Sequence, residues 1–180
     1  MKKLLSLGVL TICSVALVAC GGNGKSTEDK KEEQATSEKK KSSAYFKDDT
    51  LKIDMATLKI LSTEVLPSDT TLYRDKPQLV ITYEVTNDSD EPISASTVWI
   101  ACMDITQEAE NTINKLTVGM TPQDEKFAEY TEHQLDDINP GDTAKAIISY
   151  DLDDTETPVN LKATQGMAGK ELGQKKIELK

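Results

Sequence analysis

Four side chains in this sequence carry chemistry by their type alone: the thiols Cys13, Cys20 and Cys102 and the single imidazole, His133. A thiol beside a base becomes a nucleophile, because the thiolate is the reactive form. Beyond residue 20 the only such pair is Cys102 with His133. Their surroundings differ. Cys102 sits in Val98-Trp99-Ile100-Ala101-Cys102-Met103, apolar on both faces, which predicts a buried and inert thiol. His133 sits in Glu132-His133-Gln134, which predicts a solvated ring. There is no Gly-rich phosphate loop, nucleophile elbow or zinc-ligand spacing. Carboxylates offer a second chemistry. Asp151, Asp153, Asp154 and Glu156, and likewise Asn87 to Glu91, bring several hard oxygens within six residues, as Ca²⁺ prefers. Both lack the sixth-position Gly and distal Glu of an EF-hand, so each reads first as a solvated turn, and the 151–156 cluster stands as the weak metal candidate. With 26 acidic residues from Ala44 onward, close carboxylate pairs arise by chance. The chain is therefore read as no enzyme and as having no cofactor.

The remaining chemistry is acylation of Cys20. Lys2 and Lys3 precede an apolar run from Leu4 to Val18, shorter than the roughly 20 residues that span a membrane. The run ends in Leu17-Val18-Ala19-Cys20, followed by Gly21 and Gly22. This stretch resembles the lipobox of bacterial lipoprotein signal peptides. The resemblance implies a diacylglycerol thioether on Cys20, cleavage before it, and a mature chain held at the outer face of the cytoplasmic membrane. Two acyl chains hold firmly, since each buried methylene contributes about 0.8 kcal/mol. Cys13 leaves with the signal, so Cys102 is the one thiol of the mature fold and no intrachain disulfide is available.

These groups depend on the rest of the chain for their placement. Residues 1–19 read as the signal peptide and 20–43 as the lipidated Cys with a disordered linker. That linker is polar throughout and holds six Lys against five acids between Lys25 and Ser43. Its mean reach is on the order of 25 Å. Residues 44–180 form the domain. With 13 Lys and Arg against 26 Asp and Glu it carries a net charge of −13, a poor surface for nucleic acid or for an anionic bilayer.

From Tyr45 the period is two. Leu51, Ile53 and Met55 alternate with Lys52 and Asp54, and Leu58 and Ile60 continue, as one strand with a jog or two short ones. Leu79, Ile81, Tyr83 and Val85 form a half-buried strand stopped by the turn residues Asn87 to Pro92. Ser94 to Asp104 reads as a central strand around Trp99, apolar on both faces. Thr106 to Gln134 is the least legible region. Thr121-Pro122 with Asp124 and Glu125 suggests a short helix near 122–130, with Pro in its first turn, and a long irregular connection is the alternative. Asn139-Pro140-Gly141 is a turn that needs positive φ at Gly141. Ala146, Ile148, Tyr150 and Leu152 form a strand, Val159, Leu161 and Ala163 another, and Ile177 with Leu179 a terminal one. Six to eight short strands and one helix predict an all-β sandwich.

The order Tyr45-Phe46-Lys47-Asp48, Leu79 to Asn87, Trp99, Gln107, Ile138-Asn139-Pro140-Gly141 and Tyr150-Asp151-Leu152 resembles the immunoglobulin-like domain of Firmicute lipoproteins, a domain of unknown function. It covers roughly Ala44 to Lys180. The resemblance implies a sandwich similar to secreted mycobacterial immunoprotective antigens, and no catalytic residues. The functional expectation is a lipid-anchored extracellular module that binds a protein or cell-envelope partner. An accessory subunit of a membrane complex and a small-ligand carrier are the alternatives.

Overall fold

The computed structural model describes residues 44–179. The stretches read above as signal peptide, acylated Cys20 and linker therefore lie outside the described residues. The described residues belong to one compact unit.

Two antiparallel sheets enclose the core. The first has the order β1 (Tyr45–Lys47), β2 (Thr50–Lys52), β3 (Ala56–Leu66), β4 (Gln78–Asn87) and β9 (Thr143–Asp151). The second has the order β11 (Glu171–Ile177), β10 (Val159–Thr164), β6 (Met103–Glu108) and β7 (Ile113–Lys115). A third pairing joins the two-residue strands β5 (Ile93–Ser94) and β8 (Asp137–Ile138). The all-β expectation holds, with eleven strands among the described residues. The surplus over eight comes from strands of two or three residues, too short for alternation to show.

Alternation decides which residues enter the core. Leu79, Ile81, Tyr83 and Val85 on β4 face Val159, Leu161 and Ala163 on β10 across the same buried cluster. A bulge on β3 at Leu61 changes the phase of that strand, since Ile60 pairs with Tyr83 but Ser62 pairs with Thr82. Ala56, Leu58 and Ile60 consequently belong to the inner core, whereas Leu66 at the far end belongs to a second cluster on the outer face.

That outer cluster corrects the reading of β4 as half-buried. Val80, Leu66 and Ile147 are covered by Phe127, so both faces of β4 are buried over its first half. Phe127 closes a 3₁₀ turn, Glu125–Phe127, that runs into the single-turn helix α2 (Ala128–Thr131). The helix expected near 122–130 is thus present but begins at Glu125, with Pro122 buried ahead of it in the loop. Asp124 makes no side-chain cap bond there. Its carboxylate instead pairs with Arg74, the chain's only arginine, at 3.3 Å, while Arg74 Nε donates to the Pro67 carbonyl at 2.6 Å. This buried guanidinium fastens the loop before β4 to the cover over β4.

A second correction concerns Ser94 to Asp104. Ala95–Cys102 is the helix α1, not a strand. Ser94 is its N-cap, with Oγ accepting from Thr97 N at 3.2 Å. Ala95, Val98, Trp99 and Cys102 are buried, at offsets of three, four and seven residues from Ala95 that place them on one helical face. Trp99 is fully buried, as the sequence predicts. Its Nε1 donates to Tyr150 Oη at 2.8 Å, and its ring lies 4.6 Å from that of Tyr83.

The segment after β7 crosses between the sheets. Leu116 N donates to Ile105 O in the second sheet, and Gly119 N donates to Ser149 O in the first. Gly119 suits that crossing, because a Cβ there would lie 2.3 Å from Gln78 Nε2 and 2.5 Å from Asp151 Oδ1.

Candidate functional site

Three turns meet at one end of the sandwich, and Asn87 binds them together. Its side chain has no exposure. Nδ2 donates to the carbonyls of Glu91 and Ile138, both at 2.8 Å, and Oδ1 accepts from Ser89 N at 2.9 Å and Ser89 Oγ at 2.7 Å. Its main chain accepts from Gly141 N at 2.8 Å and donates to Asp142 O at 2.9 Å. Gly141 takes the positive φ of 83° that the Pro-Gly turn requires. The β2–β3 turn joins the same assembly through Asp88 N, which donates to Met55 O at 3.0 Å.

This end carries an apolar groove of about 350 Å³. One wall is the side of α1 that carries Val98, Ala101 and Cys102. Ile53 and Met55 from the β2–β3 turn and Ile93 from β5 complete the apolar lining. Ser94, Thr97 and Asp137 supply the polar groups. Met55 is 47 % exposed at the groove, and exposed Ile100 and Met167 adjoin the lining residues Ala101 and Gly166 in sequence. Met55, a large apolar side chain left in water at a concave apolar surface, makes the groove a candidate contact site. The register Tyr45 with Lys52 brings Ala44 level with Ile53, so the chain enters the domain at the groove end.

The residues singled out by type lie elsewhere or are occupied. Cys102 is buried on the groove's inner side, and burial pushes its thiol up despite a hydrogen bond from the Gly166 backbone. His133 is exposed, and its Nδ1 lies 2.9 Å from Asp136 Oδ2, a contact that raises its pKa above 6.5. The two groups are thus engaged with different partners. The 151–156 carboxylates point apart. Asp151 Oδ1 accepts from Gln78 Nε2 at 2.8 Å, and Asp153 Oδ2 accepts from Asn114 Nδ2 at 3.0 Å. Asp154 Oδ1 accepts from the Glu156 and Thr157 backbones, which lowers its pKa, and the Glu156 side chain is exposed. In the Asn87–Glu91 turn, Asp88 pairs with Lys52 at 2.7 Å. Among the described residues no cluster of three or more His, Cys, Asp or Glu is placed to hold a metal.

Met55, Ile93, Val98 and Ala101 were not legible as site residues. Their only signal in the sequence is excess apolarity, Met55 in a turn and Ile100 beside Ala101 on α1.

A family model described as Domain of unknown function (DUF5067) matches residues 29–165. Among solved structures, the chain is similar to one described as "a putative lipoprotein" from Staphylococcus aureus, with a TM-score of 0.67 and 27 % identity over 77 % of this chain and 93 % of that one. It is also similar to a protein from Enterococcus faecalis, with a TM-score of 0.60 and 18 % identity over 76 % of this chain and 94 % of that one. A β-sandwich protein from Clostridium difficile matches with a TM-score of 0.46 and 17 % identity over 84 % of this chain and 100 % of that one. No curated protein matches.

Proposed function

We propose, from the premise that this chain belongs to the DUF5067 family of domains of unknown function, that it is a lipid-anchored extracellular module that binds a protein of the cell envelope through the groove at the α1 end. The observation that carries the binding part is the groove itself, an apolar concavity with Met55 exposed in its lining. Its volume falls at the low end of the roughly 300–1,000 Å³ typical of ligand sites. The space between the sheets is filled by Trp99, Tyr83, Leu51 and Leu161, so a partner is received at the surface and not inside the sandwich. The anchor rests on the Leu17-Val18-Ala19-Cys20 motif. The similarity to the staphylococcal structure described as "a putative lipoprotein" supports it.

Membrane fractionation tests the anchor. The full-length protein should pellet with membranes and partition into detergent. Cys20→Ser should shift it to the medium or leave it unprocessed. A Cys20→Ser protein that stays in the membrane with a matured N-terminus would refute the anchor.

A further inference from the structure

The groove's rim has a charge as well as an apolar floor. Asp137 lines it directly. Asp54 lies between the lining residues Ile53 and Met55, Glu91 immediately precedes the lining residue Pro92, and Asp136 precedes Asp137. Asp54, Glu91 and Asp137 have no cationic partner among the described residues. Lys52, the lysine beside Ile53, is already held by Asp88 and Thr57. An apolar floor bordered by unpaired carboxylates repels anionic lipid headgroups and favours a ligand whose apolar centre is flanked by cations.

We infer that the groove receives a short protein segment in which a few large apolar side chains are flanked by lysine or arginine. This rests on the groove being the binding surface proposed above, and it adds the chemistry of the partner. The apolar side chains of the segment fill the space between Met55, Ile93, Val98 and Ala101. Its flanking cations lie against Asp54, Glu91 and Asp137. The chain's own linker does not supply such a segment, because residues 20–43 are polar and contain no aromatic or large aliphatic residue.

The test uses residues 40–180, whose described part is a compact unit with its own core. The probe is a capped peptide of four apolar residues (Leu-Ile-Leu-Met) with two lysines on each side. A second peptide with glutamate replacing every lysine is the charge control, and phosphatidylglycerol vesicles are the lipid control. Binding is followed by amide and methyl chemical shifts. The lysine peptide should shift Ile53, Met55, Ile93, Val98 and Ala101 and bind at least about tenfold more tightly than the glutamate peptide, a difference that added salt reduces. Asp54→Asn with Asp137→Asn should remove most of that preference. Met55→Glu, a change at a half-exposed turn residue that spares the core, should abolish binding while leaving the remaining spectrum intact.

Equal binding of the two peptides at the groove overturns the charge inference and leaves the binding surface standing. Shifts confined to another face, or no binding at all, overturn the inference. Tighter binding to the vesicles than to the lysine peptide overturns it in favour of a lipid surface.

Discussion

Asn87→Ala is expected to loosen the whole groove end, and the structure allows its cost to be worked out. The substitution removes two donors and one doubly used acceptor from a side chain with no exposure. The Ile138 carbonyl is buried, and leaving such a group unpaired costs about 1–3 kcal/mol. The Glu91 carbonyl and the Ser89 amide are only part-buried and can recruit water, so they add less. The expected total is about 2–4 kcal/mol. Asn87→Asp separates hydrogen bonding from shape. It retains the acceptor for Ser89 but aims carboxylate oxygens at two carbonyls. At neutral pH it should therefore destabilise more than alanine. Burial, with two carbonyls facing one carboxylate oxygen, raises the introduced carboxyl's folded pKa above its unfolded value and outweighs the two Ser89 donors on the other oxygen. Stability relative to the wild type should accordingly rise as pH falls towards about 4, where the acid is protonated and donates once. Urea titration of residues 40–180 at pH 7 and pH 4.5, read by Trp99 fluorescence, measures both effects. A loss below about 1 kcal/mol for Asn87→Ala, with unchanged amide shifts at 53–55 and 139–142, would refute the role given to Asn87.

Three further outcomes are expected. Trp99→Ala should cost about 3–5 kcal/mol, because a fully buried indole is lost and Tyr150 loses the indole N–H that donates to its hydroxyl; a loss under about 1 kcal/mol in urea would contradict its place in the core. The single imidazole resonance should titrate above pH 6.5 and return towards it in Asp136→Asn. Since the folded pKa is raised, the stability His133 contributes is complete below its unfolded pKa and fades as pH rises through the folded one, and an unshifted midpoint in the NMR titration would refute the pairing. Gly119→Ala should cost about 1–3 kcal/mol in the same urea assay, because its Cβ would lie 2.3 Å from Gln78 Nε2 and displace the Gln78–Asp151 hydrogen bond; an unchanged midpoint would show that the crossing segment yields freely.

The strands that alternate cleanly were legible because one face of each meets the core and the other meets water, as Val159, Leu161 and Ala163 on β10 show. The helix α1 was not. Its buried set, Ala95, Val98, Trp99 and Cys102, has helical spacing, but Ile100 and Ala101 add apolar residues on the remaining face and hide it. Val98, Trp99 and Ile100 also favour strands, and here the Ser94 cap and burial against both sheets outweigh that preference. The second burial of β4 depends on Phe127, 40 or more residues away, and no local pattern around Leu79 to Val85 reports it. The groove escaped for the same reason. Its lining comes from five separate segments, around 53–55, 92–94, 97–102, 137 and 166. Asn87 was legible only as a turn residue, because the carbonyls it satisfies belong to Glu91 and to the distant Ile138.

The entry of the chain beside Ile53 also determines how the domain carries mechanical load. If the groove grips a partner while the N-terminal segment is fixed at the membrane, tension runs from Ala44 through β1, β2 and the turn at 53–55 and leaves by way of Met55 and α1. That path is short. It does not stretch the long β3–β4–β9 ladder or the β10–β11 pair, which carry most of the facing residue pairs. The element under load is β1, held to β2 by three facing residue pairs, and the turn that follows it is tied to β11 by the Lys175–Asp49 contact. Under a steady pull β1 would peel away first and lengthen the leash by a few residues, while the sandwich and the grip at its end stayed intact. Tyr45 to Lys47 would then act as a mechanical fuse between the anchor and the cargo.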